Sequence, residues 1–145
     1  MHVRRQVRDA VVALLDPIPD FDVTANRLMF KSERPGVVVR TGSEREGGAE
    51  RDSPTIQRRY DRLLALVIGI VVPGEEGSED KADELAVLVE KAIAADPELG
   101  GLVIDVAYVG TDTSLEDIDG HPLADLTIEY SVWYRTTASD PETAI

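Results

Sequence analysis

Few residues of this 145-residue chain are of a type that could do chemistry, and they are scattered. His2 and His121 are the two histidines, and there is no cysteine, which excludes disulfides, thiolate nucleophiles and Cys-ligated zinc. His121 lies in a turn-like Asp-Gly-His-Pro segment, where an isolated histidine is usually solvated. A less favoured interpretation is a small acidic enzyme that binds a metal ion through acidic residues and that histidine. They are Asp112, Asp117, Asp119 and His121.

Carboxylate pairs are common in the chain, for example Glu75-Glu76, Glu79-Asp80 and Glu116-Asp117. Catalytic carboxylates must converge in a cleft at a defined separation, whereas acidic runs in polar segments are usually solvated surface. The sequence contains no phosphate-binding loop, dinucleotide-binding glycine motif, nucleophile elbow or EF-hand loop. We therefore expect a protein that is not an enzyme and binds no cofactor.

The charge balance disfavours anionic partners. The chain has 15 basic and 28 acidic residues, a formal net charge of −13, and a hydrophobic content of 43% that is ordinary for one globular domain. Such an acidic surface should be repelled by free nucleic acid and by anionic membranes, although DNA could pass it without adhering. The longest apolar run, 63–72, is too short for a membrane-spanning helix.

Hydrophobic spacing predicts the first elements of the chain. Val3 to Leu15 repeats apolar residues at helical spacing, and Asp16-Pro17 should end that helix. Residues 21–32 and 36–41 read as two strands, close enough in sequence to form a hairpin. The segment that follows has no large apolar residue between Gly42 and Ser53, so a mobile loop is predicted at 42–55.

The second half of the chain alternates the same two element types. Residues 56–72 predict a long strand whose apolar end is central in a sheet and covered by a helix. A helix capped by Ser78 or Asp80 should follow and end at Asp96-Pro97. A strand over 102–111 and an acidic loop over 112–122 complete this part.

The last element is the clearest strand of the sequence. Between Leu123 and Thr137, apolar and polar side chains alternate, which places them on opposite faces of a strand. Trp133, the sole tryptophan, breaks the pattern because it falls on the polar face beside Arg135. It is either covered by a loop or the helix layer, or it is an anchor at a protein–protein contact, where tryptophan and arginine are enriched.

These elements predict an α+β fold. We expect a two-layer sandwich with two helices packed on one face of a mixed sheet of about five strands. Residues 1–137 would form this single domain, and 138–145 a flexible C-terminal tail.

Three segments together resemble a known family. They are the opening His2-Val3-Arg4-Arg5-Gln6-Val7-Arg8-Asp9-Ala10-Val11, the segment Ala94-Ala95-Asp96-Pro97-Glu98-Leu99-Gly100-Gly101-Leu102, and the close Tyr130-Ser131-Val132-Trp133-Tyr134-Arg135-Thr136 with Asp140-Pro141-Glu142. Their order and spacing resemble the tail terminator proteins of long-tailed phages, the minor tail protein U type. The chain departs from the family pattern around 21–35, and its middle segment is unusually rich in glycine.

The resemblance implies a structural virion protein. Copies would join in a homohexameric ring on the last ring of the major tail tube protein, stop tube polymerisation, and present a surface to the head–tail connector or neck proteins. The protein would be assembled in the host cytoplasm and reside at the head-proximal end of the tail, with DNA passing through the lumen. A head–tail connector or neck protein of similar size is the alternative.

Within that expectation, two groups of residues are candidates for assembly. The subunit or tube interface would use Trp133, Arg135, Arg58, Tyr60 and Arg62. The assembly loop or lumen would use Glu44, Arg45, Glu46, Glu50, Arg51 and Asp52.

Overall fold

The computed structural model describes residues 1–25, 34–47, 58–74, 77–118 and 121–145, with the backbone alone at 116–118 and 121. Within these ranges the chain forms helices and strands that we label in chain order. They are α1 (Val3–Leu15), β1 (Asp22–Ala25), β2 (Gly36–Glu46), β3 (Arg59–Pro73), α2 (Ser78–Ala95), a short 3-10 helix (Leu99–Gly101), β4 (Asp105–Ile118) and β5 (His121–Thr137).

The five strands form one mixed sheet in the order β1-β2-β3-β5-β4. β1 pairs with β2 in parallel, and the other three pairings are antiparallel. α1 packs on β1 and β2, and α2 packs on β3 and β5. The predicted α+β class, with two helices and a mixed five-stranded sheet, is confirmed.

The predicted central strand is also confirmed. β3 lies between β2 and β5, and Ile68 is in register with Val39 on one side and Ile128 on the other. All three side chains are fully buried in the core that both helices contribute to. α1 supplies a stripe spaced by four residues to this core, which consists of Val3, Val7, Val11 and Leu15. The apolar alternation of the strands therefore marks the face on which the helices lie.

The predicted hairpin between the first two strands is wrong. Asp22 pairs with Gly36 and Ala25 with Val39, so the two strands run in the same direction. A short separation in sequence does not determine strand direction. Two neighbouring strands are parallel when the connection returns the chain to the end of the sheet at which the first strand began. The strand expected over 21–32 is observed at Asp22–Ala25, and 26–33 lie outside the described residues.

The helix ends follow the predictions, with one difference. Both helices end before the expected Asp-Pro pairs, at Leu15 and Ala95. The start of α2 is not capped by Ser78 or Asp80; instead Gly77 is the N-cap residue, with a φ of 77° and no side-chain cap bond. Only glycine adopts this left-handed conformation at little cost, so the backbone turn rather than a side chain starts the helix.

The predicted acidic loop at 112–122 is a strand hairpin. β4 begins at Asp105, later than expected, and continues to Ile118, which pairs with His121 of β5. Residues 119–120 of this connection lie outside the described part of the chain. Polar residues form strands here because an antiparallel sheet can leave one face to solvent, while backbone hydrogen bonds to β5 supply the pairing.

Two segments that were predicted to be mobile, 42–55 and 138–145, are at least partly ordered. The loop predicted at 42–55 begins inside β2, which continues to Glu46 through an irregularity between Thr41 and Glu44; residues 48–55 lie outside the described ranges. The tail at 138–145, predicted to be flexible, is tied to the domain at several points. The Ile145 amide donates to the Arg135 carbonyl at 2.9 Å, and the Val3 amide donates to the Pro141 carbonyl at 3.1 Å.

The helices of the described ranges include none with both the length and the apolar character needed to cross a lipid bilayer.

Candidate interaction surface

The face of the sheet that points away from the helices holds the exposed tryptophan. Leu63 of β3 is in register with Trp133 of β5, and side chains at these positions alternate with the buried ones. Trp133 is 38% exposed, whereas tryptophan is highly buried on average. The prediction that Trp133 falls on the polar face of its strand is therefore confirmed.

One carboxylate holds Trp133 and Arg135 together. The Trp133 Nε1 atom donates to Oδ1 of Asp61 at 3.1 Å, and the Arg135 Nε atom donates to the same oxygen at 2.7 Å. Burial opposes ionisation of Asp61, but the hydrogen bonds from Arg135 and Trp133 outweigh it and hold its pKa below the ordinary value. We call these three residues the outer cluster.

The outer cluster has the properties of an interaction anchor. The indole nitrogen is bonded within the domain, so the ring is fixed in orientation while more than a third of the side chain stays accessible. An aromatic ring fixed before binding loses little conformational entropy when a partner covers it. Arg135 lies next to it with its side chain 34% exposed, and such aromatic–arginine pairs are enriched at binding hot spots.

A second polar cluster lies on the opposite, helix-covered side of the sheet. Glu44 accepts hydrogen bonds from Arg4 Nη1 and Arg62 Nη1, each at 3.2 Å, and from the Tyr134 hydroxyl. Arg62 also donates through Nε to Thr136 Oγ1 at 3.0 Å. Burial and the neighbouring Glu44 carboxylate raise the pKa of Tyr134. We call the set of five the inner cluster.

Three of the predicted residues lie in or beside the inner cluster. Glu44 was expected in a mobile assembly loop, but its side chain is 11% exposed and faces the core. The irregularity after Thr41 brings Glu44 into register with buried Leu64, and this turns it toward the helices. Tyr60 and Arg62 were expected at an interface; both are half-buried, and the Arg62 guanidinium lies 5.7 Å from the Tyr60 ring centre.

The remaining candidates are dispersed. Arg45 and Glu46 are exposed near the end of β2 and, with Glu44, Tyr60 and Arg62, line a cavity of about 250 Å³. Arg58 is exposed before β3, and its carbonyl accepts the Ala138 amide at 2.7 Å. Glu50, Arg51 and Asp52 lie outside the described residues. The structure thus divides the predicted interface between two sheet faces.

Sequence reasoning missed Asp61 and Arg4. Asp61 occurs among charged residues at the start of β3, where nothing local distinguishes it. Its role follows from the register that places it opposite Arg135, 74 positions later in the chain. Arg4 lies near the start of α1, where its side chain is partly exposed and its guanidinium contacts Glu44.

The carboxylates considered for metal binding are only partly visible. Asp112 is exposed on β4, whereas the side chains of Asp117, Asp119 and His121 lie outside the described part. Among side chains that are described, no group of three or more His, Asp or Glu residues is arranged to hold a metal ion.

Comparison with known proteins adds no assignment. No family model matches the chain, and the curated proteins include no significant match.

Proposed function

We propose that the protein is a structural virion component of the tail-terminator type. Copies would form a ring, homohexameric by the family resemblance, at the head-proximal end of a phage tail. The ring would end polymerisation of the major tail tube protein and provide the surface that the head–tail connector binds. The resemblance of three segments supports this proposal, and so does the α+β fold that the family implies.

The observation that carries the proposal is the outer cluster. Trp133 is 38% exposed and its indole nitrogen is bonded to Asp61, so the domain presents a fixed aromatic surface. Truncating an anchor of this kind in an interface typically costs about 2 kcal/mol or more. A surface built to contact protein fits a component of an assembly.

The charge of the chain is compatible with a place on the DNA path. Duplex DNA carries one negative charge per ~1.7 Å of its axis, and a protein with a net charge of −13 offers it little attraction. DNA would pass the ring without specific binding.

The experiment compares phage particles made with and without this protein by negative-stain electron microscopy. We expect tails of abnormal length, or tails without heads, when the protein is missing, because nothing stops tube growth or joins the head. Tails of normal length with attached heads would contradict the proposal. Gold labelling at the portal side instead of the tube end would favour a neck protein.

The outer cluster is tested by complementation with Trp133→Ala. The variant should fold, with a circular dichroism spectrum like that of the wild type, yet fail to restore tail length. Val87→Ala is the matched control, because Val87 is 47% exposed on α2, apart from the outer cluster, and should restore it fully. Full restoration by Trp133→Ala would remove Trp133 from the interface.

A further inference from the structure

The charges of the chain are divided very unevenly along it. Residues 1–72 contain 12 basic and 10 acidic side chains, whereas residues 73–145 contain 3 basic and 18 acidic side chains. The first part therefore has a small positive net charge of +2, and the second part has a net charge of −15. If the fold keeps the two parts of the chain apart, this uneven distribution gives the domain one acidic side.

The sheet order places the two parts of the chain on different sides of the domain. The first part of the chain supplies α1, β1, β2 and β3, and the second part supplies α2, β5 and β4. Because the order across the sheet is β1-β2-β3-β5-β4, the two parts lie side by side instead of interleaving. The domain has an acidic flank, formed by α2, β5 and β4, and an N-terminal flank, formed by α1, β1 and β2.

The acidic flank has unneutralised charge and exposed apolar surface. Asp105, Asp112 and Glu129 are exposed and form no ion pair with any described residue. β4 is the edge strand, 14 residues long, and contains neither lysine nor proline to block pairing. Its exposed apolar side chains are Tyr108 at 54%, Val109 at 55% and Leu115 at 66%.

The N-terminal flank lacks this excess of negative charge, because α1, β1 and β2 together carry five arginines and four carboxylates. Arg40 on β2 is exposed and has no ion pair among the described residues, and Arg5 on α1 is 65% exposed with a single long contact of 3.8 Å to Asp9. The Nε atom of Arg8 is buried without a hydrogen-bond partner in the described structure. β1 is the other edge of the sheet.

We propose that the protein associates with itself head to tail, the acidic flank of one copy against the N-terminal flank of the next. Contact between two acidic flanks would bring like charges together on long edge strands, which is repulsive. Contact between unlike flanks avoids this repulsion, brings the exposed arginines of one copy toward the carboxylates of the next, and leaves one unused flank at each end of the assembly. A contact of this heterologous kind repeats until it closes into a ring or extends as a filament.

This inference deepens the proposed function, because it names the two flanks through which the terminator ring would close. Its test uses the purified chain alone, so it can fail independently of any role in a tail. Normal tails in particles lacking the protein would remove the phage assignment and leave the flank contact standing.

The absence of cysteine allows a crosslinking test with unique thiols. Ser114→Cys places one thiol on β4, Thr24→Cys places one on β1, and a double variant carries both. With a short bismaleimide at low ionic strength, the double variant should give a ladder of covalent multimers, and each single variant should remain mainly monomeric. Covalent dimers from Ser114→Cys alone would show that two acidic flanks meet, and a monomeric double variant would show that the flanks do not meet; either result overturns the proposal.

Charge reversal provides the second test, read by sedimentation velocity. Asp112→Lys and Arg40→Glu should each weaken self-association by roughly 3- to 10-fold, the equivalent of one or two exposed ion pairs. Glu98→Lys, which makes the same change in net charge as Asp112→Lys at an exposed site after α2, should leave it unchanged.

Raising salt from 0.01 M to 0.15 M shortens the screening length from about 30 Å to about 8 Å. This weakens the flank contact and also the repulsion between two chains of net charge −13, so each charge variant is compared with the wild type at both salt concentrations. Stronger association of Asp112→Lys would indicate relief of repulsion between acidic flanks. A chain that stays monomeric at both salt concentrations would overturn self-association.

Discussion

Trp133 and Asp61 are joined across two neighbouring strands: the indole Nε1 of Trp133 donates a hydrogen bond to Oδ1 of Asp61 at 3.1 Å. The same oxygen accepts from Arg135 Nε at 2.7 Å. A single carboxylate on β3 thus determines how two side chains of β5 are presented on the face of the sheet that the helices leave uncovered. The consequences of this arrangement can be measured in the isolated domain.

Asp61→Ala should loosen Trp133 without unfolding the protein. Two hydrogen bonds to a charged acceptor are lost at a partly exposed site, so we expect the free energy of unfolding to fall by about 1 kcal/mol. Trp133 fluorescence should become more accessible to acrylamide, since the ring is no longer held. Asp105→Ala is the control, because Asp105 is the register neighbour of Trp133 on β4 and no hydrogen bond joins their side chains. Equal quenching in both variants would contradict the anchoring role.

Asp61 should also contribute to loss of stability in acid. Its pKa in the folded protein lies below the ordinary value of 3.8, because the bonds from Arg135 and Trp133 outweigh its burial. The contribution is complete above 3.8 and is lost as the pH falls through the lowered folded pKa. Urea denaturation at pH 7 and at about pH 3 should therefore show a smaller drop for Asp61→Asn than for the wild type. An identical drop in both proteins would show that Asp61 is not the group responsible.

Glu44→Gln should be more destabilising than any exposed charge substitution. The change is nearly isosteric, but it removes the negative charge that faces Arg62. It also replaces one acceptor oxygen of Glu44 by an amide NH₂ group, which cannot accept the hydrogen bonds that Arg62 and Tyr134 donate. Because Tyr134 is fully buried and the Arg62 side chain is only 17% exposed, solvent can replace these bonds only in part, and we expect a loss of about 1–3 kcal/mol by chemical denaturation. Glu129→Gln, at an exposed site on β5, should change stability by less than about 0.5 kcal/mol. Equal small effects in the two variants would mean that Glu44 is solvated in the folded protein.

His2 should make the start of α1 sensitive to pH. Its Nδ1 atom accepts the Arg4 amide at 3.1 Å, which requires a neutral ring, and burial followed by the Arg4 charge lowers its pKa below 6.5. The stabilisation is complete above pH 6.5 and is lost as the pH falls through the folded pKa. His2→Asn keeps an N-cap acceptor that is not protonated in this pH range. The thermal midpoint of this variant should therefore fall less between pH 7 and pH 5 than that of the wild type. A thermal midpoint with the same pH dependence in both proteins would contradict this assignment.

The element types and the core could be predicted from the sequence because each depends on local spacing. The stripe at Val3, Val7, Val11 and Leu15 lies on one face of any helix, and the alternation in 123–137 defines a buried face in any strand. Strand direction, the extension of β4 into the acidic segment, and the start of α2 at Gly77 could not be predicted. Strand direction and the extension of β4 depend on which backbone groups find partners elsewhere in the chain, whereas the start at Gly77 depends on a left-handed backbone turn that replaces a side-chain cap.

The candidate surface shows the same division. Composition and alternation by themselves determined that Trp133 lies on the polar face of its strand and that the second half of the chain is acidic. Only the tertiary structure decided that Asp61 holds Trp133, that Glu44 faces the core, and that the charge of the second half collects on one flank. The physical reason is that hydrogen bonds and charge contacts depend on distances between residues far apart in the chain, and sheet order and register set these distances.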